Sequence, residues 1–164
     1  MENTLSAQQR VIVVGVDGSP SSVAALKLAM SLVPLAGDVV RAVAAWHHPV
    51  TLSVYTPQVW DYEEVMKKAL AQALEEAFPA GTPPIVERRI VRGNPAQVLI
   101  KESADASMVV VGSRGHGGFT GLLLGSVSSA VAERAACPVL VSHGALKQAG
   151  GNAEASPVEA TTRS

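Results

Sequence analysis

The chain has 164 residues, with 13 Lys and Arg against 14 Asp and Glu, for a formal net charge of −1. That length supports one substantial core and is too short for two comfortable domains. The near-neutral balance excludes a general electrostatic pull toward nucleic acid or an anionic membrane, so any anion must be caught locally. Hydrophobic residues make up 48% but aromatics only 4%, which predicts a core of Val, Ala, Leu and Ile, as in strands covered by helices on both faces. The single cysteine, Cys137, excludes an internal disulfide and a cysteine-rich zinc site. No apolar run is long enough to span a membrane, and residues 1–10 lack the apolar stretch of a signal peptide. The expectation is a cytoplasmic protein that binds neither nucleic acid nor membrane.

Residues 1–9 read as a loose N-terminus, and the first strand spans 11–16. It is apolar at almost every position, as a central strand should be. Asp17-Gly18-Ser19-Pro20 follows, with Ser19 placed to cap a helix and Pro20 at its first position. Val23, Leu26, Met30 and Val33 recur at helical spacing, and Pro34 and Gly37 are expected to end that helix. Asp17 is open to two readings: a turn carboxylate, or a ligand contact at the carboxyl end of a central strand.

The second strand spans 39–46, with Ala45 near its end. His47 and His48 come next. Adjacent strand residues point to opposite faces and no carboxylate–histidine cluster accompanies them, so a solvated loop is expected rather than a metal site. The connection over 49–59 is long enough to serve as a lid or simply to move. A second helix covers 61–78, with Met66, Leu70, Ala73 and Ala77 inward and Lys67, Lys68, Glu75 and Glu76 outward. The third strand, 85–91, carries Glu87, Arg88 and Arg89, which suits a sheet edge. Asn94-Pro95-Ala96-Gln97 starts a third helix with a capping-box partner, and residues 98–104 continue it.

A short β-branched run at 108–111 reads as a fourth, buried strand. It enters a stretch with glycines at 112, 115, 117, 118, 121 and 125 before a helix over 126–135. Strand, glycine-rich loop and helix start together make an anion cradle. Glycine lets backbone N–H groups approach a ligand closely, and unpaired N–H groups at the helix start favour negative charge. Arg114 supplies a charged partner for phosphate oxygens and Ser126 a hydroxyl; His116 is open to a solvated or a functional reading. The last strand spans 139–142, behind Cys137, which reads as a small buried hydrophobe. His143 reads as a surface residue, and 145–164 as a disordered tail after a single domain over 10–144.

The spacing Gly112-x2-Gly115-x9-Gly125-Ser126 resembles the nucleotide-binding signature of the universal stress protein family. It is neither a Walker A loop nor a dinucleotide fingerprint. The resemblance runs from the first strand to Ser142. It implies a Rossmann-like, adenine nucleotide alpha hydrolase-like α/β fold: a doubly wound five-stranded parallel sheet of order 3-2-1-4-5. The alternation of strands and helices by itself implies only a parallel sheet covered on both faces. In the implied order the first and fourth strands are neighbours whose crossovers leave toward opposite faces, so Asp17 and the Gly112 loop line one crevice.

Carried over by residue, the resemblance implies that Gly112, Gly115, Gly125 and Ser126 hold phosphates, with Arg114 in the same loop and Val127 opening the helix aimed at them. Gly15, Val16, Asp17, Ala45 and Val111 then surround the adenosine. The expected function is an ATP-binding stress-response regulator rather than an enzyme, with ATP as ligand and Mg²⁺ carried through its phosphates. Two other readings are a slow ATPase or nucleotidyl- or phosphoryl-transfer enzyme, and a dimeric interaction module that binds no nucleotide. A homodimer is expected through Val139, Leu140 and Val141, an apolar edge without guarding charge, unless the tail covers that edge.

Overall fold

A computed structural model of the chain describes residues 9–47, 61–115 and 124–144. Five strands, β1 (Val11–Gly15), β2 (Val39–Trp46), β3 (Val86–Arg92), β4 (Met108–Gly112) and β5 (Val139–Ser142), alternate with four helices. These are α1 (Pro20–Ala36), α2 (Tyr62–Ala77), α3 (Pro95–Glu102) and α4 (Ser126–Arg134), with a short 3-10 turn at Ser103–Asp105. The strands form one sheet of order β3-β2-β1-β4-β5, and every neighbouring pair is parallel.

The sheet is central because its middle strands are apolar on both faces. In β1, Ile12 and Val14 face a cluster built with Val23 and Leu26 of α1 and Leu70 and Leu74 of α2. Val11 and Val13 face the other way, toward Val98 and Leu99 of α3 and Val131 of α4. The two-residue period of a strand delivers one set of side chains to each helix layer. The chain thus leaves β1 toward the α1 face and β4 toward the α4 face, and the strand order reverses between them.

Three helices begin under side-chain caps. Ser19 accepts from the Ser22 N–H, Asp61 from Glu64, and Asn94 from both Ala96 and Gln97. Asn94 therefore satisfies two of the amides that a helix start leaves orphaned, and Gln97 takes part through its backbone N–H. Of the two residues expected to end α1, Gly37 is its C-cap, whereas the helix runs through Pro34 to Ala36. Proline here removes one donor in the last turn, its fixed φ suits a helix, and the Gly37 N–H closes on Val33 O at 3.2 Å.

β3 is the edge opposite β5, and its charges do more than guard it. Glu87 pairs with Arg41 of β2 at 3.3 Å, while Arg41 and Arg89 both reach Glu102, at 3.4 and 3.1 Å. The Glu102 side chain is only 10% exposed, so the end of α3 is tied to the sheet by a charge network. Cys137 is half-buried against the α3–α4 cluster, where burial pushes its thiol above the ordinary range. The 49–59 connection, most of the glycine stretch with His116, and the tail lie outside the described residues, as does His48. His47 and His143 are exposed. No described helix is long and apolar enough to cross a membrane.

Candidate functional site at the carboxyl ends of β1 and β4

β4 ends at Gly112, and the chain turns sharply there. The Ser113 N–H donates to Ser142 O at 2.8 Å, and Ser113 O accepts from the Gly125 N–H at 2.7 Å. That second bond ties together the two described ends of the loop. It brings Gly115 and Gly125 together although nine residues separate them. A Cβ on Gly125 would lie 3.6 Å from the Gly115 nitrogen and 3.6 Å from Ser113 O.

Gly125 is also the N-cap of α4, and as glycine it makes no side-chain cap. The contrast with α1, α2 and α3 is informative. The helix whose first turn lines the crevice is the one whose N-cap residue offers its terminal N–H groups no side-chain acceptor. Ser128 in that turn donates its hydroxyl to Gly112 O, which locks α4 to the end of β4.

The loop is pinned from the other side by α1. Ser21 donates its hydroxyl to Arg114 O. One Asp17 carboxylate oxygen accepts from the Ser19 N–H at 2.9 Å and from the Ser19 hydroxyl at 2.6 Å. The other oxygen lies 2.7 Å from where a Cβ on Gly115 would stand. A Cβ on Gly112 would meet the Ser21 hydroxyl and come within 2.8 Å of the Ser21 carbonyl carbon. So Gly112 and Gly115 are glycine because the first turn of α1 and the Asp17 carboxylate crowd them. Gly125, with ordinary contacts only, is under no such internal pressure.

These elements enclose a crevice of about 570 Å³, within the usual range for small-molecule sites. Every residue that the family resemblance carried over to the nucleotide site lines it. Gly15, Val16 and Asp17 come from the end of β1 and the turn after it, Ala45 from β2, Val111 and Gly112 from β4, Arg114 and Gly115 from the loop, and Gly125, Ser126 and Val127 from the start of α4. The floor is apolar (Val43, Ala45, Leu99 and Val111) and the rim is backbone and hydroxyl, with Ser19, Ser22, Ser128 and Ser129.

The wall from α3, Pro95 and Leu99, has no counterpart in the sequence reading. Leu99 Cδ1 stands 2.7 Å from a Cβ built on Gly15, so that glycine admits the leucine to the crevice. Val43 shares a strand face with Ala45 two residues on, and period two alone would have found it.

An open, doubly wound sheet with a crevice at its switch point and an uncapped helix start on one rim defines a class: Rossmann-like α/β domains that seat a ligand beyond the strand ends. Within that class, the model of the Universal stress protein family matches residues 9–143. A universal stress protein of Mycolicibacterium smegmatis is 39% identical over 133 residues, covering 79% of this chain and 44% of the relative. One from Mycobacterium tuberculosis is 40% identical over 140 residues, covering 82% and 45%. A solved universal stress protein is 28% identical with a TM-score of 0.59, covering 84% of this chain and 98% of that one. The chain belongs to the universal stress protein family. It spans less than half the length of the two mycobacterial relatives.

Proposed function

We propose that the chain is a regulatory protein that binds ATP in the crevice between the ends of β1 and β4. The observation carrying this reading is the start of α4, whose N-cap is a glycine without a capping side chain and whose first turn lines, with Gly115, the same crevice that Val43, Ala45, Leu99 and Val111 floor. A phosphate chain suits the rim and a purine the floor. The solved relative at 28% identity is a complex with cAMP, which supports an adenine nucleotide as the ligand class. A divalent cation would arrive on the phosphates, held by their oxygens and by water. Among the described residues, no group of three or more His, Cys, Asp and Glu could hold a metal unaided.

Regulation is favoured over catalysis because phosphoryl transfer needs a positioned base or nucleophile. The described lining offers one carboxylate, Asp17, and its Oδ1 is already engaged by the Ser19 N–H and hydroxyl. In the test, the purified protein is denatured, released nucleotide is identified by mass spectrometry, and ATP, cAMP, NAD and FMN are titrated calorimetrically with Mg²⁺ present. ATP is expected to bind most tightly; NAD or FMN binding as well as ATP would overturn the reading. We also infer a homodimer through β5, whose Val139, Leu140 and Val141 form an apolar edge without guarding charge.

A further inference from the structure

The described floor of the crevice, Val43, Ala45, Leu99 and Val111, carries no hydrogen-bonding side chain. Side chains there select a ligand by shape alone. Leu99 is the largest of the four and the only one that a helix supplies, the others standing on β2 and β4. Its Cδ1 lies 2.7 Å from where a Cβ on Gly15 would stand, and Val111 Cγ1 lies 3.4 Å from the same point. The tip of the leucine thus rests over the end of β1, in a place that only glycine leaves open.

This wall is fixed. Helix α3 has eight residues, and polar bonds hold it at both ends. Asn94 caps its start through the Ala96 and Gln97 N–H groups. At its end Glu102 accepts from Arg41 and Arg89, at 3.4 and 3.1 Å. The next residue, Ser103, accepts from the Ala136 N–H at 2.8 Å and donates to Ile100 O at 2.6 Å, which ties the helix end to the chain beyond α4. Leu99 is buried one turn before these anchors. A ligand pressing on it meets a helix that moves only by breaking charge-assisted bonds.

Resting on the ATP-binding reading above, we propose that Leu99 sets the size of the base that the crevice accepts. A purine seats against the leucine, and a purine extended toward α3 by a further aromatic ring is excluded. Leu99 is then a specificity-determining residue. Leu99→Ala removes the stop and leaves an apolar hollow beside Gly15 and Val111, which an added ring can fill.

The experiment is calorimetric titration of the full chain with ATP and with ATP analogues carrying a benzyl group at N6 or a benzylthio group at C2 or C8, which probe three edges of the purine. It compares wild type, Leu99→Ala and Leu70→Ala. Wild type is expected to bind the analogue whose ring meets Leu99 about tenfold or more weakly than ATP. In Leu99→Ala that analogue is expected to gain about tenfold or more relative to ATP. Leu70 packs in the cluster on the α1 side of the sheet and does not line the crevice, so Leu70→Ala is expected to keep the wild-type ratios.

Wild type that binds all three analogues within about threefold of ATP, or Leu99→Ala that changes no ratio, overturns the proposal. So does an equal gain in Leu70→Ala, which traces the effect to a softened core. Should Leu99→Ala fail to fold, the milder Leu99→Val decides: the same analogue is expected to gain about threefold, and an unchanged ratio overturns the proposal. Wild type that binds neither ATP nor any analogue sinks the ATP-binding reading itself, a result distinguishable from the others.

Discussion

At the scale of single residues, the glycines of the loop divide into two kinds. Gly112 is crowded by the protein, since its missing Cβ would press on the Ser21 backbone at 2.8 Å. Gly125 is not, its nearest neighbours standing at 3.6 Å. Substitution should separate the two. Gly112→Ala is expected to destabilise the fold by about 1–3 kcal/mol, the usual cost of overpacking, read as a lower urea midpoint. Gly125→Ala is expected to leave that midpoint within about 1 kcal/mol of wild type, because the N-cap has room for a methyl group. On the proposed reading its methyl group, 3.6 Å from the Gly115 nitrogen, is expected to hinder a phosphate there, and losing one charge-assisted bond weakens ATP binding by about ten- to a hundredfold. An equal loss of stability in both variants would contradict this division.

At the scale of elements, α3 connects the charged edge of the sheet to the crevice. Its start is held by Asn94 and its end by Glu102, and between them it presents Pro95 and Leu99 to the site. Asn94→Ala should cost about 1 kcal/mol through loss of the cap, while Asn94→Asp, which keeps the acceptor, should cost little, both measured by urea unfolding. A stable Asn94→Ala variant would mean that the Glu102 network alone positions the helix. This wall of the crevice was not legible in the sequence. Which face of an amphipathic helix reaches a pocket depends on how the helix packs, and Leu99 reads locally as one more core leucine. The strands were far more legible, because uninterrupted Val and Ile bounded by glycine or charge leave little choice; β2 and β5 match residue for residue. Asp17 and the Gly112 loop could be suspected separately from their local chemistry. Their meeting follows only from the strand order that the family resemblance implies; the contact between Ser21 and Arg114, 93 residues apart, has no local signal.

At the scale of the whole molecule, the two sheet edges differ. β3 carries Glu87, Arg88 and Arg89, whereas β5 presents Val139, Leu140 and Val141, each only partly buried. Pro138 O and Ser142 O accept from Val109 and Ser113 of the β4 side, so the alternating backbone groups of Val139 and Val141 point to the open edge. An apolar edge of this kind invites a second copy of the chain across a twofold axis. Sedimentation at micromolar concentration is expected to show a dimer for wild type and a monomer for Val141→Pro. Proline there removes an outward N–H and spares the ladder to β4. A wild-type monomer would end the proposal, and a dimer surviving both Val141→Pro and removal of residues 145–164 would put the interface elsewhere.

The contact between Ser21 and Arg114 has a further consequence for the life of the molecule. The two rims of the crevice come from distant parts of the chain, so whatever fills it acts as a removable cross-link across a long loop. A ligand at a hundred times its dissociation constant adds about 2.7 kcal/mol to the folded state. For a marginally stable domain, that changes the fraction open to proteolysis by about a hundredfold. On the proposed reading, the abundance of this protein tracks the supply of its nucleotide: well-charged cells keep it, and depleted cells clear it.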